Sequence, residues 1–200
     1  PEGDYQVNTI GNQTTLLDLR NPELKSMGYR DDTRVPHQQP SKKHSNHEAS
    51  EVSQNTSMEN NQSTQIDVML LYSSEFSSAY GNNVSVKLNN FLALANQAME
   101  DSGISAYYNL VHYEEINASK STDIDTTLDS LTDGTGSFSN ISTLRETYKA
   151  DLISFVRPFD SNLDNACGLA WVGFSSGNFN SDWSGLAFSV VNEGSSGSYF

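Results

Sequence analysis

The sequence predicts an α/β fold: a mixed, mainly parallel twisted sheet with an antiparallel edge strand and helices packed on it. Three observations carry this. The runs Ile66–Tyr72, Ala150–Val156 and Leu186–Val191 are nearly continuous in apolar side chains, the pattern of strands covered on both faces. Between the first two runs the apolar residues recur at helical spacing. The order strand, helix, strand, helices, strand, strand, strand leaves connections long enough for right-handed crossovers between parallel strands.

The elements follow in order. Tyr5, Val7 and Ile10, then Leu16, Leu17 and Leu19, flank the Gly11-Asn12 turn signal and predict a hairpin over residues 1–30. A lone hairpin buries too little to be stable, so it reads as the tail of a larger module. Residues 31–65 are dominated by polar and charged side chains, with hardly an aliphatic between Val35 and Ile66. That composition cannot offset the entropy of ordering and predicts a flexible linker.

From Ile66 to Phe200 the pattern is globular. Asn83 or Ser85 is placed to cap a helix carrying Val84, Leu88, Phe91, Leu92, Ala95, Ala98 and Met99, and Gly103 supplies its left-handed stop. Ile104–Ile116 reads as a strand with Ala106, Tyr108, Leu110 and His112 on one face and Tyr107, Val111 and Tyr113 on the other. Thr122 with Asp125 resembles a capping box before Ile124, Leu128 and Leu131. Gly134-Thr135-Gly136 breaks that helix, and Ser139 opens another with Ile141, Leu144 and Tyr148 on one face. Pro158 ends the next strand. Leu169–Phe174 is a short strand, Ser175–Ser184 a loop, and Leu186–Val191 the last strand.

Charge narrows the partners. The chain carries 25 acidic and 11 basic side chains, and residues 66–200 hold 16 of the acidic and 5 of the basic ones. So acidic a surface repels phosphate backbones and anionic lipid, and no apolar run reaches the ~20 residues of a membrane helix. Acidity of this kind suits solubility in a secreted protein. Six Asn-x-Ser/Thr triplets begin at Asn12, Asn55, Asn61, Asn83, Asn117 and Asn140, a number that a chain so rich in Asn, Ser and Thr reaches by chance. The chain begins without Met or a signal peptide and is expected to be an internal piece of a longer precursor.

Two features bear on chemistry. His44, His47 and Glu48 spell His-Glu-x-x, but Glu51 stands where a second zinc-binding His is required, and no apolar face would hold this polar stretch helical. Cys167 is the only cysteine, which excludes a disulfide within the chain and leaves a small buried hydrophobe, a half-cystine or a nucleophile as readings.

Five stretches in order resemble the metzincin zinc endopeptidases, of the reprolysin-like and bacterial peptidyl-Asp endopeptidase type. They are Ile66-Asp67-Val68 with Leu71-Tyr72; Leu94-Ala95-Asn96-Gln97-Ala98; Leu144-Arg145 through Tyr148 to Ala150-Asp151-Leu152-Ile153-Ser154; Cys167-Gly168-Leu169-Ala170-Trp171; and Ala187-Phe188-Ser189-Val190-Val191. The resemblance implies that 66–200 is the amino-terminal catalytic subdomain, that 1–30 is a propeptide tail, and that 31–65 is the connection cut on activation. It implies that a peptide or protein substrate pairs with the edge strand through Gly168, Leu169, Ala170, Trp171 and Val172, with Trp171 framing a pocket or else simply core. It favours Cys167 as a half-cystine with its partner outside the chain. It also implies Zn2+, held by a His-Glu-x-x-His-x-x-Gly-x-x-His helix. That motif is absent from the 200 residues, so its ligands are expected beyond Phe200 and the chain alone is expected to be inactive. The alternative is a non-enzymatic α/β domain that binds peptides or surfaces through edge strand 169–174, or a cell-surface binding module with the linker as its stalk.

Overall fold

The computed structural model describes residues 5–10, 13–18, 33–34, 63–118, 121–160, 162–164, 166–172, 174–175, 178–179 and 185–193. His37, His44, His47 and Glu48 lie outside them, as does most of the expected linker. Strands β1 (Tyr5–Ile10) and β2 (Gln13–Asp18) pair antiparallel with Ile10 opposite Gln13, the hairpin that the Gly11-Asn12 signal predicts. Within the expected linker, β3 (Thr33–Arg34) is a strand.

The globular part begins with β4 (Thr64–Ser73), α1 (Ser74–Tyr80), α2 (Val84–Asp101) and β5 (Ala106–Ile116). It continues with α3 (Ile124–Asp133), α4 (Ile141–Tyr148) and β6 (Leu152–Pro158). Last come β7 (Gly168–Trp171), the paired β8 (Phe174–Ser175) and β9 (Asn178–Phe179), and β10 (Phe188–Glu193). The main sheet has the order β3-β7-β10-β6-β4-β5. Strands β10, β6, β4 and β5 are parallel, β7 is antiparallel to β10, and β3 lies along β7 in the parallel sense.

The continuous apolar runs are explained by two cores, one on each face. Val68 and Leu70 of β4 meet Phe76, Tyr80, Val84 and Leu88 of α1 and α2. Met69 and Leu71, one residue out of phase, meet Ile124, Leu128, Leu131, Phe138 and Ile141, together with Ile153, Phe155, Leu169 and Val190 from neighbouring strands. A strand with both faces buried has no polar alternation to show.

Three local findings differ from the sequence expectations. Helix α1 was not visible in the pattern, since its seven residues offer only Phe76 and Tyr80 as an apolar pair; it is started by Ser73, whose Oγ accepts from Phe76 N at 3.2 Å. In β5 the register against β4 slips by one residue at Val111, so Met69 lies opposite His112. Such a bulge reverses the alternation beyond it. His112 therefore leaves the face of Tyr108 and Leu110 and stacks on Tyr148 of α4, ring centroids 3.7 Å apart, while Tyr113 turns to Tyr72 on the opposite face. Strand β7 ends at Trp171, and residues 174–175 pair with 178–179 instead of extending it.

The cap of α3 is Asp123, one residue after the predicted Thr122. Its carboxylate accepts from Thr126 N at 2.8 Å and from Thr126 Oγ1 at 3.0 Å. The backbone bond from Thr126 holds its carboxyl below the usual range. Asp123→Ala is therefore expected to lower stability by about 1 kcal/mol at neutral pH. A depressed folded pKa makes the cap's contribution complete above the unfolded carboxylate pKa of ~3.9 and lost as pH falls through the lower folded value. Unfolding curves of wild type and variant should accordingly converge in strong acid; a gap that persists there contradicts the assignment.

Candidate active-site edge

The edge predicted to receive a peptide is β7, and its five named residues divide by role. Gly168 sits at a close approach within the sheet: a Cβ there would lie 3.3 Å from the Val190 carbonyl oxygen of β10, a tight contact that would press the two strands apart by a few tenths of an ångström. Leu169 is buried in the core against α3. Ala170 is half-buried. The Trp171 indole N–H donates to Thr132 Oγ1 of α3 at 2.8 Å, and its ring packs against the same core. Val172 follows the strand and is half-buried. Leu169 and Trp171 are thus structural on the α3 face, and what β7 offers a partner is backbone.

That backbone already has a neighbour. On the side of β7 away from β10, Thr33 lies opposite Ala170 and Arg34 opposite Trp171. An extended segment from the amino-terminal part of the chain therefore sits on the edge where a peptide would add as a strand. Nothing in the composition of 31–65 distinguishes these two residues from their polar surroundings.

The approach to β7 is held by a buried polar cluster that the sequence reading missed. Arg157, at the end of β6 and 7% exposed, pairs with Asp164 of the following loop. Its Nε donates to Asn192 Oδ1 at 2.8 Å, and its Nη1 to Thr122 O at 2.6 Å and Thr127 Oγ1 at 3.3 Å. Asn192 passes the hold on, Nδ2 donating to Ala166 O at 3.0 Å and its backbone N–H to Cys167 O at 2.8 Å. One guanidinium so ties the end of β6, the start of α3, the end of β10 and the residues entering β7, with the half-buried Cys167 among them. The only readable signal was an Arg closing an apolar strand just before Pro158; its partners are distant in sequence.

The adjoining Glu193 points to the other face. Its buried carboxylate accepts from Tyr80 O–H at 2.6 Å and pairs with Lys87 Nζ at 2.9 Å, and Lys87 lies over the rings of Tyr80 and Phe91. Burial first, and the Glu193 bond second, push the Tyr80 phenol far above its usual pKa, which keeps it a donor. The last two residues of β10 are thereby gripped from both sides of the sheet.

Among the described residues no group of three or more His, Cys, Asp or Glu is placed to hold a metal ion. His112 is engaged elsewhere, 3.2 Å from Glu114 and stacked on Tyr148. The described residues therefore do not by themselves form a zinc site. Nor is any described helix long and apolar enough to cross a membrane.

Comparison with known proteins bears on this arrangement. The sequence profile Reprolysin_5, described as metallo-peptidase family M12, matches residues 62–199. No curated protein matches the chain. Among solved structures, a chain in a chaperone–substrate complex is similar over 66% of this chain and 21% of its own, with a TM-score of 0.53 and 19% identity. Metalloproteinase-II from Bacteroides fragilis is similar over 94% of this chain and 49% of its own, with a TM-score of 0.44 and 11% identity. The chain thus spans about a fifth of the first and about half of the second.

Proposed function

The chain belongs to metallopeptidase family M12, and on that premise we propose that it is the front part of a secreted, zinc-dependent endopeptidase in its zymogen form. A peptide or protein substrate lies extended along β7, pairing main chain to main chain with Gly168, Leu169, Ala170 and Trp171 and reaching Val172. The observation that supports this most is the pairing of Thr33–Arg34 with Ala170–Trp171, because it shows an extended segment seated on that edge. The same pairing makes β3 a plug that substrate must displace. Zinc and the residues that activate water are supplied by sequence beyond Phe200, so residues 1–200 alone are inactive. Cys167, at the entrance to β7, pairs with a cysteine from the same region. Secretion is in keeping with the acid-rich composition.

The test uses the whole protein and the 200-residue chain side by side on extended peptides. The whole protein should hydrolyse them, lose that activity to a chelator and regain it with Zn2+, whereas residues 1–200 should show none. Hydrolysis that survives complete removal of metal, or that residues 1–200 perform alone, sinks the reading.

A further inference from the structure

The two edges of the sheet are not alike. The edge at β7 is partnered by a two-residue strand, whereas β5 at the opposite edge runs for 11 residues and pairs among the described residues only with β4. A long edge strand is a template for strand addition. Apolar side chains flank this one: Ile104, Tyr107 and Tyr113 are 52%, 39% and 42% exposed.

At one place the outer backbone of β5 is covered. Asn96 of α2 donates from Nδ2 to Tyr108 O at 2.9 Å and accepts from Tyr108 N at 2.6 Å on Oδ1. Both main-chain groups of one residue are thus satisfied by a single side-chain amide, as a neighbouring strand would satisfy them. Groups bonded to Asn96 point away from β4, so the register with β4 puts Ala106, Tyr108 and Leu110 in the outward set. The bulge at Val111 then shifts that set to Tyr113 and Glu115. A straight partner strand would find the Tyr108 position filled, the Ala106 N–H already bonded to Ile104 O at 2.9 Å, and the spacing of the rest broken.

We propose that Asn96 is the guard of this edge, and that without its amide β5 becomes a docking strand for a second copy of this chain. The second copy is the favoured occupant because the antiparallel pairing of two β5 strands that matches the outward sets, Tyr113 opposite Tyr108 and Glu115 opposite Ala106, keeps Glu114 and Glu115 of one copy beside the uncharged Ala106 and Tyr107 of the other. Like charges then do not meet, whereas a parallel arrangement would align them. The inference is independent of any catalytic role.

The experiment measures mass by light scattering across a concentration series in the whole protein. Asn96→Ala, and Asn96→Leu, which keeps apolar contact and helix propensity on α2, should double the mass relative to wild type as concentration rises. Adding Tyr107→Lys, a charge on the opened edge, should return it to the wild-type value. Folded Asn96 variants that keep the wild-type mass overturn the proposal, and so does a doubling that ignores Tyr107→Lys. Hydrogen exchange on the unaltered protein is a second check: the Tyr108 amide should exchange far more slowly than that of Leu110, and equal rates overturn the guard.

Discussion

Replacing Arg157 by Met should lower the free energy of unfolding by about 3–5 kcal/mol, the cost of leaving a buried charge without its partner. Asp164 is 6% exposed, so its carboxylate cannot turn to bulk water once the guanidinium is gone. Its other oxygen accepts from Asp160 N at 3.1 Å, which does not replace a cation. The same substitution removes a donor from Thr122 O and from Asn192 Oδ1. Against a total stability of about 5–15 kcal/mol for a domain of ordinary size, this loss decides whether the variant is folded at physiological temperature. Because the ion pair is itself expensive to desolvate, Arg157→Met with Asp164→Leu should recover more than half of the loss. Denaturant titration of the two variants checks both statements. A single-variant loss below about 1 kcal/mol would place Asp164 in contact with water and remove the cluster from its structural role.

Cutting the chain between Arg34 and Ile66 should raise peptide hydrolysis by the whole protein by about thirtyfold in kcat/KM. The size follows from the pairing. Two opposed residues, Thr33–Ala170 and Arg34–Trp171, provide on the order of two backbone hydrogen bonds at about 1 kcal/mol net each. While the chain is uncut, the plug competes for the edge intramolecularly. After the cut it is a dilute competitor, and about 2 kcal/mol corresponds to roughly a thirtyfold gain for substrate. The gain should appear as a lower KM at unchanged kcat, since the plug competes for binding and leaves the chemical step alone. Assays before and after limited proteolysis between Arg34 and Ile66 give the answer. An unchanged rate, or a rise confined to kcat, would mean that β3 does not compete with substrate for β7.

Much of the globular part was legible in the sequence. The runs at Ile66, Ala150 and Leu186 became β4, β6 and β10 because a residue buried on either face must be apolar, whatever its partners are. Val84 and Leu88 marked α2 for a related reason: helical spacing is a property of the chain itself. Local readings failed where a single step was at stake. The cap fell on Asp123 instead of Thr122, and the alternation in Ile104–Ile116 was interrupted at Val111. A bulge has no composition of its own and is decided by how β5 must curve beside β4.

By itself, then, the sequence determined which segments are strands and helices, their order, and the acidic character of residues 66–200. It also determined that the zinc motif is not within the 200 residues. Only the tertiary structure decided which side chains meet. Arg157 finds Asp164 and Asn192, Glu193 finds Tyr80 and Lys87, Asn96 finds the backbone of Tyr108, and Thr33–Arg34 come to lie on β7. The physical reason is range. Periodicity records how each residue stands toward water within a turn or a pleat, whereas hydrogen bonds and ion pairs join atoms that chain topology brings together from 7 to more than 130 positions away.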